Sequence, residues 1–263
     1  MAVVVGLAVT AIKGTRVREV DRIELGHDGV RENRRFYLID QRGRMVNGKI
    51  IGDLQAVVAD YCDQKRTLRL EFPDGRIVED EIRLGDPVTT QFFSQATDGW
   101  VVEGPWEAAL SEHFGLNLRL IEPGERGTAV DRGGDGAASL ISRASLARLA
   151  RAGGKDTIDS RRFRMLVEID GVGVHEEDQW VGRTIRIGES IVAFNGHVGR
   201  CLITSRDPDT GVVDLPTLDM LGEYRHHIAA TEPLPFGIYG QVVEPGTVRV
   251  GDAVAPTDNV GGG

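Results

Sequence analysis

Short apolar runs of alternating or β-branched residues, each broken within about ten positions by glycine or a proline turn, constrain this chain most. VVVGLAVTAI, RRFYLID, AVVADYC, TLRLEF and RIVEDEIRL fill its first third, punctuated by Gly26, Gly29, Gly43 and Pro73-Asp74-Gly75. RMLVEID, RTIRIG, ESIVAFNGHV, IYGQVV and VRVGDAV follow later. Such runs are too short for amphipathic helices and fit half-buried strands. The 34 glycines among 263 residues point the same way, to a turn-rich β protein. A hairpin is predicted to turn at Gln41-Arg42-Gly43. Only three segments read as helix. PWEAALSEHFG has Pro105 at its start and Gly115 past its end. SLISRASLARLARAGG has Ser142 as N-cap and Gly153-Gly154 as its stop. The third runs from about Leu218 to Ile228. The stretch GERGTAVDRGGDGAAS between the β-rich halves is a linker or a ligand loop. The pattern predicts barrels with a site between them.

Charge narrows the function. The net charge is −9, from 31 basic and 40 acidic residues, which argues against a nucleic-acid binder. The only lysines are Lys13, Lys49, Lys65 and Lys155. Arginine suits two-pronged recognition of phosphate or carboxylate, so a few focused arginines in an acidic protein fit a small anion. No apolar run approaches the ~20 residues of a membrane helix. MAVVVGLAVTAIKG reads as a strand, with no basic region before it. Cys62 and Cys201 make no disulfide framework and no zinc motif, and a reducing cytoplasm is expected.

Cys201 is the most informative residue. It follows Arg200 directly, and a guanidinium neighbour favours the thiolate, the form that attacks carbon or binds soft metals. A free cysteine is also commonly a small buried hydrophobe. Cys62 has no basic neighbour and fits that second description. Lys13-Gly14 ends the first strand, where an ammonium and a backbone N–H can share one anion. Asn33-Arg34-Arg35 and Arg161-Arg162-Phe163-Arg164 each read as the opening of a strand. Alternation would set Arg162 and Arg164 on one face. Each basic cluster fits either a solvated edge or an anion site. His197 stands four residues before Cys201, with nothing to orient a cysteine–histidine pair. His226-His227 diverge in direction, and Glu176-Glu177-Asp178 reads as a solvated turn. No P-loop, dinucleotide fingerprint, HExxH or GxSxG is present.

In order along the chain, AIKG, NRRFYLIDQRGRMV, SLISRASLARL, RRFRMLVEIDG, EEDQWVGRTIRIG, GRCLITSRDPDTG and FGIYGQVVEPGTVRVGD resemble MOSC-domain proteins. This is the molybdenum cofactor sulfurase C-terminal family. The resemblance is nearest to the branch of the mitochondrial amidoxime-reducing component and its bacterial relatives. It implies a mainly β (α+β) fold: a MOSC-type barrel preceded by an N-terminal β-barrel domain, with a few short helices. The expected division is an N-terminal barrel over 1–95, a helix–strand connection over 96–124, a MOSC domain over 125–258 and a disordered tail over 259–263.

The resemblance also implies the site. Cys201 corresponds to the catalytic cysteine that ligates molybdenum. Lys13, Arg34 or Arg35, Arg164 and Arg200 become anchors for the pterin and phosphate of a molybdenum cofactor (Mo-molybdopterin). Gly14 contributes its N–H and Tyr239 a further contact. The chain departs from the pattern in five places. Gly14 stands for serine, Asn33 for aspartate, and Met165-Leu166 for Pro-Asn. Gly48-Lys49 stands for Ala-Arg, and Asp135-Gly136 for small hydroxyl residues, where a carboxylate would repel phosphate. The implied activity is reduction of N-hydroxylated or N-oxide small molecules. With no four-cysteine cluster for an iron–sulfur centre, electrons are expected from a separate electron-transfer protein. No nucleic acid or membrane partner is expected. The alternatives are a sulfur carrier using a Cys201 persulfide, and a non-catalytic binding barrel.

Overall fold

A computed structural model describes residues 1–92, 95–124, 133–230 and 232–257. The tail expected at 259–263, and residues 125–132 of the glycine-rich stretch, lie outside the described residues. The strands in chain order are β1 (Ala2–Val9), β2 (Arg18–Glu19), β3 (Arg22–Leu25), β4 (Tyr37–Asp40), β5 (Met45–Val46), β6 (Val58–Cys62), β7 (Thr67–Glu71), β8 (Ile77–Glu81) and β9 (Arg83–Phe92). They continue with β10 (Gln95–Glu103), β11 (Leu118–Pro123), β12 (Ala138–Ser142), β13 (Val167–Asp170), β14 (Thr184–Ile187), β15 (Ser190–Gly199), β16 (Pro235–Glu244), β17 (Gly246–Arg249) and β18 (Ala253–Pro256). Three α-helices accompany them among the described residues: α1 (Trp106–Phe114), α2 (Arg143–Ala152) and α3 (Thr217–Arg225).

Seven strands close a barrel in the order β13-β12-β16-β15-β14-β18-β1, with β1 returning to β13 and β2 added outside β1. Closure leaves the barrel without a free edge. The β12–β13 pair is parallel and the other barrel pairs are antiparallel. Alternate residues fill the interior, among them Leu7, Leu140, Val167, Ile169, Ile185, Ile187, Val192, Phe194 and Ile238. The first strand of the chain is thus part of a barrel otherwise built from its second half.

β3 pairs with β17 and packs Ile23 and Leu25 into the same core, while β4 to β11 form a second unit. It holds the five-stranded sheet β5-β4-β11-β10-β9 and the three-stranded sheet β6-β7-β8. Phe36 and Leu38 face a core shared with Leu54, Leu68, Leu70 and α1. Tyr37 and Ile39, one residue out of phase, face a smaller cluster with Phe92 and Ile121. Trp106 opens α1, is fully buried, and donates its indole N–H to the Leu68 carbonyl at 2.9 Å.

The predicted hairpin forms, with Gly43 at φ 73° between β4 and β5. Gly115, at φ 62°, ends α1. Ser142 caps α2 by accepting from the Ser145 N–H at 3.2 Å. Several sequence readings need correction. VRVGDAV is two strands, β17 and β18, because Gly251 (φ 96°) reverses the chain between them. Arg161-Arg162-Phe163-Arg164 does not open a strand. Ser160–Phe163 is a 3-10 turn, capped by the Asp159 carboxylate accepting from the Arg161 N–H at 2.9 Å. Asn33-Arg34-Arg35 likewise precedes its strand, which begins at Tyr37. Glu176-Glu177-Asp178 is not a solvated turn. Glu177 is fully buried and accepts from both the N–H (3.3 Å) and the hydroxyl (2.9 Å) of Ser142.

Ser142 therefore serves two partners, the helix N-terminus and a buried carboxylate. Ser142→Ala is expected to lower the unfolding free energy by about 1–3 kcal/mol, from a lost cap and an under-bonded Glu177. Urea denaturation measures it, and a change below a few tenths of a kcal/mol would contradict the double role.

Candidate functional site

A cavity of about 490 Å³ opens where the barrel meets the second unit. Lys13, Gly14, Arg34, Arg164, Arg200, Cys201 and Tyr239 all line it, joined by Asn33, Lys49, Ser139, Phe163, Met165 and Glu232. Arg35 is absent from the wall. Its guanidinium is paired with the buried carboxylate of Glu122, so of the two adjacent arginines the cavity takes Arg34. Cys62 lies half-buried at the end of β6, away from the cavity. His197 also stays off the wall, with Nε2 at 3.5 Å from Asp178 Oδ1, so no cysteine–histidine pair forms.

The backbone explains the convergence. Past β1, residues 10–13 zip against residues 33–36. Arg34 N donates to Thr10 O at 2.5 Å, Phe36 N to Ala11 O at 3.0 Å and Lys13 N to Phe36 O at 2.8 Å. Asn33 Oδ1 accepts from Thr10 N at 3.2 Å. Lys13 and Arg34 thereby reach the cavity side by side. Gly14 sits at φ 100°, and a Cβ there would approach Gly48 N and Leu54 Cδ1 to 3.2 Å. A serine at this position would be strained and crowded, so only the backbone of Gly14 is offered.

Arg34 (φ 50°) and Arg164 (φ 55°) both occupy the left-handed region. For residues with a Cβ this costs roughly 1–2 kcal/mol each and persists only where surroundings over-determine it. Here the two are tied together: Arg34 Nη2 donates to the Arg164 carbonyl at 2.7 Å. The Arg164 side chain is turned into the cavity, and its buried Nη2 has no hydrogen-bond partner among the described residues.

Arg200 behaves differently. Nε donates to Phe236 O at 2.7 Å, Nη1 to Phe163 O at 3.0 Å, and Nη2 approaches Met165 Sδ at 3.0 Å. It is 8% exposed and braces the turn before Arg164 against the start of β16. Cys201 follows it, half-buried, at the head of the 3-10 turn Leu202–Ser205. The Cys201 carbonyl accepts from Thr204 N and Oγ1, each at 3.0 Å. The ring of Tyr239 lies over Gly196, whose added Cβ would meet it at 3.0 Å. Asp135, placed by its sequence near the expected phosphate, instead accepts from Gln241 Nε2 at 3.1 Å, and Gly136 lines the cavity in its place.

Burial first, and like charge second, shape the electrostatics of the wall. Burial pushes the Lys13 amine well below its ordinary pKa, and repulsion from Arg34, Arg164 and Lys49 adds to this, opposed by Cys201. Burial, then Arg34, pushes Arg164 down to about 9, again opposed by Cys201. Glu232 is the one acid among the described lining residues. A wall of this kind suits an anion with several oxygen acceptors, and the thiol beside it suits a soft metal. The residues that sequence reading passed over, Glu232 and Ser139 above all, stand in segments with no motif to mark them. Ser139 Oγ accepts from Leu166 N at 3.0 Å and fixes the strand beyond Arg164.

Two family models match the chain: the MOSC domain over residues 113–255 and the MOSC N-terminal beta barrel domain over residues 1–109. Among curated proteins, mitochondrial amidoxime-reducing component 1 of Mus musculus is 37% identical over 125 residues, 44% of this chain and 35% of the mouse protein. Mitochondrial amidoxime reducing component 2 of Bos taurus is 28% identical over 271 residues, 94% of this chain and 80% of the bovine protein. Of solved structures, the YUAD protein from Bacillus subtilis aligns with a TM-score of 0.44 at 12% identity, over 97% of this chain and 94% of that one.

The cation cluster makes a pH prediction. A cation whose folded pKa lies below its unfolded value destabilises the fold while charged, so the ligand-free protein gains stability as pH rises through the depressed values, about 9 for Arg164. An anion in the cavity reverses this by favouring the charged forms. Pyrophosphate is expected to raise Tm at neutral pH and to be bound with proton uptake. The gain should shrink above about pH 9 and weaken in Arg164→Ala. Thermal unfolding with and without pyrophosphate across this range measures it; a pH-independent gain equal in both proteins would contradict the cluster's role.

Proposed function

Because the chain belongs to the MOSC domain family, we propose that it binds a molybdenum cofactor in the cavity between its halves and reduces N-hydroxylated or N-oxide small molecules with electrons from a separate protein. The observation that carries this reading is the meeting of one thiol, Cys201, with the cationic side chains of Lys13, Arg34 and Arg164 around one cavity. The amidoxime-reducing names of the relatives supply the substrate class.

The residues fit the group. An anionic, phosphate-bearing pterin needs donors that the protein has not already used, and the unpartnered Nη2 of Arg164 is one. Lys13 and Arg34 would share the phosphate with Arg164, and Cys201 would offer the thiolate. Gly14 would add a backbone N–H, and Tyr239 would bound the far wall. Arg200 has its donors on Phe163 and Phe236, and in this reading it is a positioning residue that holds Cys201 and Arg164 in register. When bound, the cofactor supplies two-electron redox chemistry at molybdenum. The chain's own work is to bind it, orient it and shape access. Cys201 faces the Lys13 and Arg164 cations across the cavity, and a thiolate is what a soft-metal site requires.

Both cysteines are free, which suits a reducing compartment, and we assign the protein to the cytoplasm. Among the described residues no helix is long and apolar enough to cross a membrane.

Protein made in a molybdate-fed, cofactor-competent host tests the reading. The wild type is expected to hold about one molybdenum per chain and to reduce an amidoxime with reduced viologen as donor. Cys201→Ala is expected to lose the metal or the activity, and Cys62→Ala to keep both. Full activity in Cys201→Ala would overturn the assignment. Sulfane sulfur on Cys201 without molybdenum would favour a sulfur carrier.

Cofactor retention gives a second prediction. Each charge-assisted bond to a phosphate contributes about 1.5–3 kcal/mol, so Arg164→Ala should weaken retention roughly 10- to 150-fold. Arg164→Lys should restore only part, since an ammonium lacks the two-pronged plane. Molybdenum quantified after dialysis decides it, and equal retention in all three proteins would remove Arg164 from the site.

A further inference from the structure

The start of β16 is held in an unfavourable shape. Leu234 (φ 50°) and Gly237 (φ 77°) both occupy the left-handed region, and the pairing of β15 with β16 shifts register between His197 and Gly199. For a leucine such a conformation persists only where its surroundings over-determine it. Two arginines grip the backbone here. Arg200 Nε donates to Phe236 O at 2.7 Å, and Arg225 Nε donates to the preceding carbonyl, Pro235 O, at 2.5 Å. Arg225 ends α3 and is 2% exposed. Its Nη2 donates to Asp178 Oδ2 at 2.8 Å. Asp178 stands on the 3-10 turn Glu176–Trp180, whose Glu177 is bonded to Ser142. A buried ion pair generally gains little over an apolar pair of the same volume, so stability alone does not account for an arginine in this place.

What Arg225 reaches does account for it. Its guanidinium lies 6.0 Å from the centre of the Phe236 ring, and that ring packs on Phe163 with 4.8 Å between centroids. Phe163 lines the cavity, gives its carbonyl to Arg200 Nη1 and is followed directly by Arg164. Neither Arg225 nor Asp178 is among the described lining residues, so any effect of theirs on an occupant is carried by these neighbours. We propose that Arg225, held by Asp178, is a positioning residue for the cavity. It fixes the start of β16 from behind, and through Phe236 and Phe163 it keeps Arg164 aimed at the occupant. This rests on the reading of the cavity as the seat of an anionic group.

The test is a double-mutant cycle on ligand-free protein, with pyrophosphate as the probe and binding followed by titration calorimetry well below every melting temperature. Arg225→Met alone leaves the Asp178 carboxylate without its bonded cation, so Arg225→Met is combined with Asp178→Asn, which removes both charges together. This paired variant is expected to bind pyrophosphate about 10-fold more weakly than wild type. In an Arg164→Ala background the same change is expected to alter affinity by less than about 2-fold, because its route to the anion is already gone. A role in fold stability alone would lower Tm and leave the affinity of the folded protein as it was. Pyrophosphate bound equally tightly by wild type and the paired variant would overturn the positioning role and leave the anion site standing, as would an equal loss of affinity in both backgrounds. A wild type that binds no pyrophosphate would overturn the anion reading of the cavity, and the proposal with it.

Discussion

The hydrogen bond from Arg34 Nη2 to the carbonyl of Arg164 joins the two halves of the cavity, and the rest of the site depends on it. Each arginine sits in a left-handed conformation that its Cβ disfavours. Each needs an external reason to stay there, and each supplies part of the other's. Arg34 is held by its N–H on Thr10, at the exit of β1 from the barrel. Arg164 is held as the C-cap of a 3-10 turn whose other end is Asp159. The cost of burying these cations, with their mutual repulsion added, is visible in the lowered pKa values of Lys13 and Arg164. An anion in the cavity would offset both.

Around this contact the protein is braced by ion pairs that neutralise their members. Arg161 pairs with Asp159 and with Asp209 through two bonds of 2.8–2.9 Å. Arg162, nearly buried, pairs with Asp214 through two more. Asp209 also offers its carbonyl to Arg16 of the N-terminal half at 2.6 Å. The Asp-Pro-Asp-Thr-Gly segment is itself folded by Asp207, whose Oδ1 accepts from the N–H groups of Asp209 and Thr210. This segment is a clamp between the halves. Its carboxylates hold the turn that aims Arg164, and none of them lines the cavity.

Local signals were legible in the sequence and long-range ones were not. The ends of α1 and α2 could be read because proline, serine and glycine act on their own few residues. The hairpin at Gly43 could be read for the same reason. The turn at Arg161–Arg164 was mistaken for a strand opening because three arginines carry no strong local preference. The signal was Asp159, a good cap two residues upstream of Arg161. Glu177 could not be recognised as buried, since its partner Ser142 lies 35 residues away. The closure of β1 onto β13 and β18 is of the same kind, because pairing over such distances leaves no periodicity in either strand.

In the site, the resemblance marked Cys201, Lys13, Arg34 and Arg164, and all four reach the cavity wall. It could not separate Arg34 from Arg35, because Glu122, which draws Arg35 away, lies on a distant strand. It offered no hint of Glu232. The most direct measurement of the central claim is X-ray absorption at the molybdenum edge of the loaded protein, wild type beside Cys201→Ser. The account predicts that the variant, where it retains metal, has lost one sulfur scatterer from the first coordination shell; identical spectra would contradict it.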